Sequence, residues 1–233
     1  MACILNIETS TRVCSVAISL DGALLFERCD KDGPSHATIL GPFIGDALDF
    51  LRDEGRTLNA VAVSCGPGSY TGLRIGVSMA KGLCFAHDVP LIAIETTKIM
   101  AALVVDKGLA DNGALLCPMI DARRMEVYAA LYNKKLEKAR DTQADIVDAD
   151  TYASYLTTNR VLFFGDGAEK CREAIEHENA VFVGGIDPLA SAMCRLSDEA
   201  FRQQRFEDAA YFEPFYLKEF VATKPKNKVL NQQ

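Results

Sequence analysis

Apolar residues in this chain come in short blocks separated by polar turns, and the order of the blocks predicts the elements. Residues 2–7 are an apolar run of buried-strand length. The polar turn Glu8-Thr9-Ser10-Thr11-Arg12 comes next, and 13–20 reads as a second strand. Asp21-Gly22 is a hairpin pair, so 23–28 returns as a third strand. From Ser35 to about Arg52 the apolar spacing changes to that of a helix. A fourth strand at 58–63 then runs into a glycine-rich turn and a helix over 73–87. A short strand at 91–94 and a helix to Val105, capped by Thr96 or Thr97, complete the first half.

The second half restates this plan. Residues 115–120 form an apolar strand closed by Asp121, as the first strand is closed by Glu8. Ala122-Arg123-Arg124 makes the turn, 126–132 the returning strand, and Asn133-Lys134 stands in for Asp21-Gly22. Residues 161–164 enter Gly165-Asp166-Gly167-Ala168 and a further helix, echoing the fourth strand and its glycine turn. A meander followed by helix, strand and glycine turn, stated twice, predicts an α/β protein of two similarly folded lobes. The boundaries fall at 1–105 and 106–206, with 207–233 completing the first lobe. Residues 188–206 read as a long helix capped by Asp187, 211–217 as a proline-broken aromatic stretch, and the basic run 224–228 as disordered.

The stretch from Ser64 to Gly76 is the most informative. A strand end bending through Gly66-Pro67-Gly68 into a helix suits an anion, because helix N-termini present unpaired N–H groups. Its spelling fits neither common phosphate loop. A P-loop's Gly-Lys-Ser/Thr ending is missing, and Gly66, Gly68 and Gly72 are spaced too widely for the dinucleotide fingerprint. Gly72, Gly76 and Ala80 lie four apart and form a ridge without side chains. Two glycines in one helical turn each cost about 1 kcal/mol relative to alanine and need a compensating contact. Packing on the chain's own sheet and packing on a second protein both satisfy that need.

The helix from Ser35 carries two apolar stripes, Ala37, Leu40, Ile44, Ala47, Leu48 and Leu51, and beside it Ile39, Phe43 and Phe50. Together they are wider than a helix docked on one sheet requires. Its other side holds Thr38, Gly41 and Gly45, which permit close approach. On the helix 73–87 the one face not dominated by apolar residues holds Arg74, Ser78, Lys81 and Phe85. These seven residues are the candidate interface, and a helical bundle shared with another molecule is the arrangement they suggest.

Composition narrows the function classes. A chain of 233 residues, 49% hydrophobic and 24% charged, is an ordinary globular protein. Its net charge of −7 argues against gripping nucleic acid across its own surface, so a nucleic-acid role is expected to be indirect. The 8 cysteines are scattered without a C-x-x-C pair, as in a reducing compartment. The N-terminal residues do not read as a secretory signal, and a cytoplasmic location with no membrane contact is expected.

Four passages carry a family resemblance: Ile4 to Ser10, Gly66 to Gly76, Asp121 to Tyr128, and Pro214-Phe215-Tyr216-Leu217. Together they resemble the bacterial TsaB family over nearly the whole chain. The resemblance implies the two-lobed fold of actin, sugar kinases and Hsp70. It further implies a role in adding threonylcarbamoyl to the adenosine beside the anticodon of certain tRNAs. On that reading the chain is no catalyst. It pairs with the catalytic paralogue TsaD through the first-lobe helices, the ATPase TsaE joins them, and the chain forms a homodimer when alone.

In the paralogue an H-x-x-x-H pair holds a metal; here His36 is followed four residues on by Leu40, and no metal site is expected. Glu8 occupies the place of the carboxylate that handles Mg²⁺ in the fold's kinases, with Thr9 and Ser10 as phosphate donors. Gly165 and Gly167 keep part of an adenosine pocket. The arginines of the second turn would hold a triphosphate off the backbone, so these five residues form a vestigial nucleotide site, with weak ATP or ADP binding at most, in the complex. The rival reading is an active small-molecule kinase of the same fold; a dinucleotide-binding enzyme would need its glycine turn after the first strand of the sheet.

Overall fold

Two five-stranded sheets of the same topology make up the protein, and the computed structural model describes residues 1–33 and 36–217. The first half runs β1 (Cys3–Glu8), β2 (Cys14–Leu20), β3 (Ala23–Asp30), α1 (His36–Asp53), β4 (Ala60–Gly66), α2 (Tyr70–His87), β5 (Leu91–Glu95) and α3 (Thr96–Asp106). The second runs β6 (Leu115–Asp121), β7 (Glu126–Tyr132), β8 (Lys138–Ile146), α4 (Ala153–Leu156), β9 (Val161–Phe164), β10 (Ala180–Val183) and α5 (Cys194–Arg202). Strand orders are β3-β2-β1-β4-β5 and β8-β7-β6-β9-β10. In each, the meander is antiparallel and the last two strands join in parallel; β8 and β10 are strands beyond those expected from the hydrophobic pattern. The central strands β1, β4 and β9 are buried throughout, which accounts for their unbroken apolar runs.

The helices cover these sheets in a crossed pattern. On one face of the first sheet, Leu40, Ile44, Ala47 and Leu51 of α1 and Val77, Ala80 and Cys84 of α2 pack on Leu5, Ile7, Val61 and Val63. On the other face, Ile99 and Ala102 of α3 meet Leu196 and Ala200 of α5 over Ile4, Ala62 and Ile92. Met100, Ala101 and Val104 of α3 face the second sheet, among Leu116, Ile120 and Phe164. Thus α3 serves both sheets, and α5, which comes after the second sheet in sequence, helps to cover the first. Segment 207–216 also returns to the first sheet: Glu207 bridges to Leu91, and Ala209 and Phe212 join the core under α1 and α2.

Several expectations need correction. The helix expected over 188–206 is a 3-10 turn, Ala190–Met193, followed by the shorter α5. Asp187 does not cap it but pairs with Lys31, and the Ala190 N–H donates to Ser15 Oγ on β2. Thr96 and Thr97 lie inside α3 rather than capping it; Glu95 takes the cap position, and Thr97 Oγ1 instead shares a hydrogen bond with the Tyr132 hydroxyl at 2.9 Å. After Ala168 there is only the 3-10 turn Glu169–Cys171. Asn133-Lys134 opens a longer loop, closed by Asn133 N–H donating to the Glu137 carbonyl, with Leu136 at positive φ. Ala37 is exposed and leaves the buried stripe of α1. Ser35 and the basic run 224–228 lie outside the described residues.

Candidate functional site

The sequence points to two sites, and the first turn decides one of them. Strands β1 and β4 end side by side, and the glycine turn drops α2 onto the β1–β2 turn. A Cβ on Gly68 would strike the Ser10 carbonyl, one on Gly72 the Thr9 carbonyl, and one on Gly76 the Thr9 hydroxyl. The glycines that break helix propensity are therefore the ones that let α2 sit against this turn. The compensating contact for the ridge is internal. Ser69 caps α2 by accepting from the Gly72 N–H at 3.2 Å, and its own N–H donates to the Ser10 carbonyl at 2.6 Å. The N–H groups of Ser69, Gly72 and Leu73, at the helix end that suited an anion, are thus engaged by the chain itself.

Glu8, Thr9 and Ser10 are wholly buried. Thr9 Oγ1 donates to the Gly72 carbonyl at 2.9 Å, so the expected phosphate donor is spent on α2. Glu8 Oε1 accepts from the Ser10 N–H at 2.6 Å and from the Ser64 hydroxyl at 3.0 Å. Its Oε2 has no hydrogen-bond partner among the described residues. Burial pushes the Glu8 carboxyl up to about 7, against the opposing pull of the hydrogen bonds from Ser10 and Ser64.

The second lobe repeats the geometry more loosely. A Cβ on Gly165 would collide with the Met119 carbonyl, and one on Gly167 would lie 2.9 Å from Val127 Cγ1 and 3.0 Å from the Asp121 nitrogen. Both glycines let the β9 turn sit against β6, the role Gly68 plays in the first lobe. Asp121 is exposed and ion-paired with Lys170, and its N–H donates to Asp166 Oδ1 at 2.9 Å. Burial raises the Asp166 carboxyl. His36 is buried with Nε2 3.2 Å from the Val13 carbonyl oxygen, a packing role.

The second candidate site lies on the outer side of α1 and α2. Thr38, Gly41, Gly45, Arg74, Ser78 and Phe85 are exposed, Phe85 at 91%. Among the described residues, and apart from the chain neighbours and the helix's own backbone, nothing approaches within 4 Å of where a Cβ on Gly41 or Gly45 would stand. Between the helices runs a groove of about 610 Å³ lined by Ala37, Tyr70, Arg74, Ile75, Ser78 and Met79. Ile39, Phe43 and Phe50, the second stripe of α1, are half-buried against the core, Phe50 stacking on Phe26 at 5.3 Å between ring centroids.

Lys81 departs from that group. Its Nζ donates to the carbonyls of Ala210 at 3.1 Å and Phe212 at 3.0 Å, pinning segment 207–216 along α2. The Phe215 N–H donates to the Cys65 carbonyl at 2.7 Å, and Tyr216 packs on Tyr70 at 4.9 Å between centroids. The sequence assigns 207–233 to the first lobe without saying where these aromatics dock; their density beside Pro214 is the available signal for a docked strap.

Duplicated meander sheets with crossed helices define the actin-like class, to which sugar kinases and Hsp70 also belong. A family model described as TsaD, tRNA N6-adenosine threonylcarbamoyltransferase, matches residues 32–230. The tRNA threonylcarbamoyladenosine biosynthesis protein TsaB of Escherichia coli K12 is 30% identical over 230 residues, covering 95% of this chain and 96% of that protein. Its namesake from Bacillus subtilis 168 is 30% identical over 221 residues, covering 92% and 93%. Among solved structures, YeaZ from Pseudomonas aeruginosa superposes with a TM-score of 0.75 at 26% identity, over 93% of this chain and 100% of that one. The chain belongs to the TsaB family.

Proposed function

We propose that this chain is a non-catalytic subunit in the biosynthesis of threonylcarbamoyladenosine in tRNA, working by pairing with TsaD. The reading rests chiefly on one observation: α1 and α2 leave an apolar groove flanked by open glycines and by Phe85, while the turn that would handle phosphate is filled by α2. A helix pair of TsaD in that groove would complete a shared bundle, and a second copy of this chain would take its place when TsaD is absent. TsaE joins the pair. The action is allosteric, and it requires the chain to bind one arrangement of TsaD more tightly than another. A nucleotide is held weakly, if at all, and only in the assembly, which works in the cytoplasm.

Co-purification with TsaD tests the proposal. Gly45→Arg and Ser78→Trp add bulk where the surface is open, so both variants should fold, Ser78→Trp with an unchanged and Gly45→Arg with an unchanged or higher melting temperature, and fail to retain TsaD. Retention of TsaD by both would remove this face from the proposal. Brisk ATP hydrolysis by the chain alone, abolished in Glu8→Gln, would favour the kinase reading instead.

A further inference from the structure

The turn between β6 and β7 has a feature that pairing with TsaD leaves unused. Arg123 and Arg124 both have positive φ, 72° and 50°. Nowhere else among the described residues do two neighbouring non-glycine residues share that conformation. It crowds each Cβ against the following carbonyl, a strain that glycine escapes. The turn's own hydrogen bonds hold it: the Arg123 N–H donates to Asp121 Oδ1 at 2.9 Å, and the Glu126 N–H to the Arg123 carbonyl at 3.1 Å.

Charge makes the second observation. Nine arginines, Arg28 and Arg140 among them, form ion pairs. The guanidinium groups of Arg123 and Arg124 have no partner among the described residues, and both residues are exposed. Asp121, the carboxylate that precedes the turn, is already engaged by Lys170. In the first lobe α2 covers the equivalent turn, but here only a 3-10 turn comes after β9, and the arginines stay open. A strained backbone that displays two unpaired cations points to a ligand. Planar guanidinium forks match phosphate oxygens in pairs.

We propose that Arg123 and Arg124 contact the phosphate backbone of the RNA on which the TsaB-containing assembly acts. The choice of RNA rests on the function proposed above; the strained, unpaired arginines do not. Two phosphate contacts cannot make an acidic chain a general nucleic-acid binder, but they anchor one stretch of a tRNA that another subunit carries. That amends the expectation of purely indirect contact.

The test is a titration of the full chain with tRNA across a series of low salt concentrations, alone and with TsaD. The double variant Arg123→Gly/Arg124→Gly removes both charges and relieves the backbone. Its melting temperature should be unchanged or higher, and TsaD should still co-elute with it. The slope of log affinity against log salt should shrink by roughly 1.5 relative to the parent chain, in both settings. Equal slopes for parent and variant, or no tRNA binding by the parent chain in either setting, would overturn the proposal. So would loss of TsaD from the variant, which would make the arginines a protein contact, or weakened binding of free ATP with tRNA binding intact. If the parent chain fails to pair with TsaD, the function reading falls and the isolated-chain slopes still decide this one.

Discussion

The two lobes share one topology and differ in the element that comes after the parallel strand beside the central hairpin. In the first, the glycine turn feeds the 18-residue α2, which closes over Thr9 and Ser10 and buries Glu8. In the second, the matching turn feeds a 3-residue 3-10 turn, and Asp121, Arg123 and Arg124 stay at the surface. The same pair of hairpins thus carries a sealed carboxylate on one side and an open charged turn on the other. A fold in which two such turns grip phosphate needs both accessible, and here one is filled by the chain's own helix. Divergence in one helix length is enough to change what the duplicated scaffold presents.

The sharpest way to break this comparison is at the glycines. Gly72→Ala forces a Cβ into the Thr9 carbonyl, which sits on a buried strand end and has nowhere to move. It should cost about 3 kcal/mol in chemical denaturation. Gly167→Ala meets the side-chain end of Val127 as well as backbone and should cost about half as much. Equal costs would mean that the first turn is less tightly covered than described.

Next in size is the buried acid. The folded-state value of Glu8, about 7, lies above the ordinary value of 4.5, so folding favours the protonated form. The contribution of Glu8 to stability should therefore be greatest below about pH 4.5, decline as pH rises towards 7, and stay at the lower level beyond. The full decline is on the order of 3 kcal/mol. Glu8→Gln should abolish it, leaving the variant more stable than the parent at pH 8 when the two are compared by denaturant midpoint. Asp121→Asn, on the open side, should shift stability by no more than about 0.5 kcal/mol at any pH. A Glu8→Gln variant that is less stable at pH 8 would show that the carboxylate is held as an anion.

The smallest effect has the opposite sign. Gly45→Ala places a methyl in open space on α1 and should stabilise the chain by about 0.5–1 kcal/mol. If it destabilises instead, that face is already covered in solution by another copy, which sedimentation would reveal.

Much of this arrangement is legible in the residues. Most strands announce themselves as short apolar runs, the polar and largely exposed β8 being one that does not, and the repetition of Glu8 by Asp121 and of Gly66–Gly68 by Gly165–Gly167 reveals the duplication. The glycine ridge of α2 is visible, but its partner is not, because a bare helix face looks the same whether a turn of the same chain or another protein fills it. Thr9 reads as a phosphate donor for the same reason, since a hydroxyl's partner is set by three-dimensional closure, whereas the buried Ser10 hydroxyl has no hydrogen-bond partner among the described residues. The 188–206 segment misleads because its helical pattern continues through residues whose first N–H is satisfied by Ser15 on a distant strand. The angle of Lys81 on the helix groups it with the outward residues, yet its length lets it reach back to two strap carbonyls.

The crossed packing of α5 and the strap has a consequence for synthesis on the ribosome. When a nascent chain has emerged through β10, every strand of the first sheet is present and α3 covers part of Ile4, Ala62 and Ile92, but the α5 residues that complete the shield on that side have yet to emerge. Early folding of the N-terminal half would leave that side exposed to chaperones, and release of the last residues is what allows it to close.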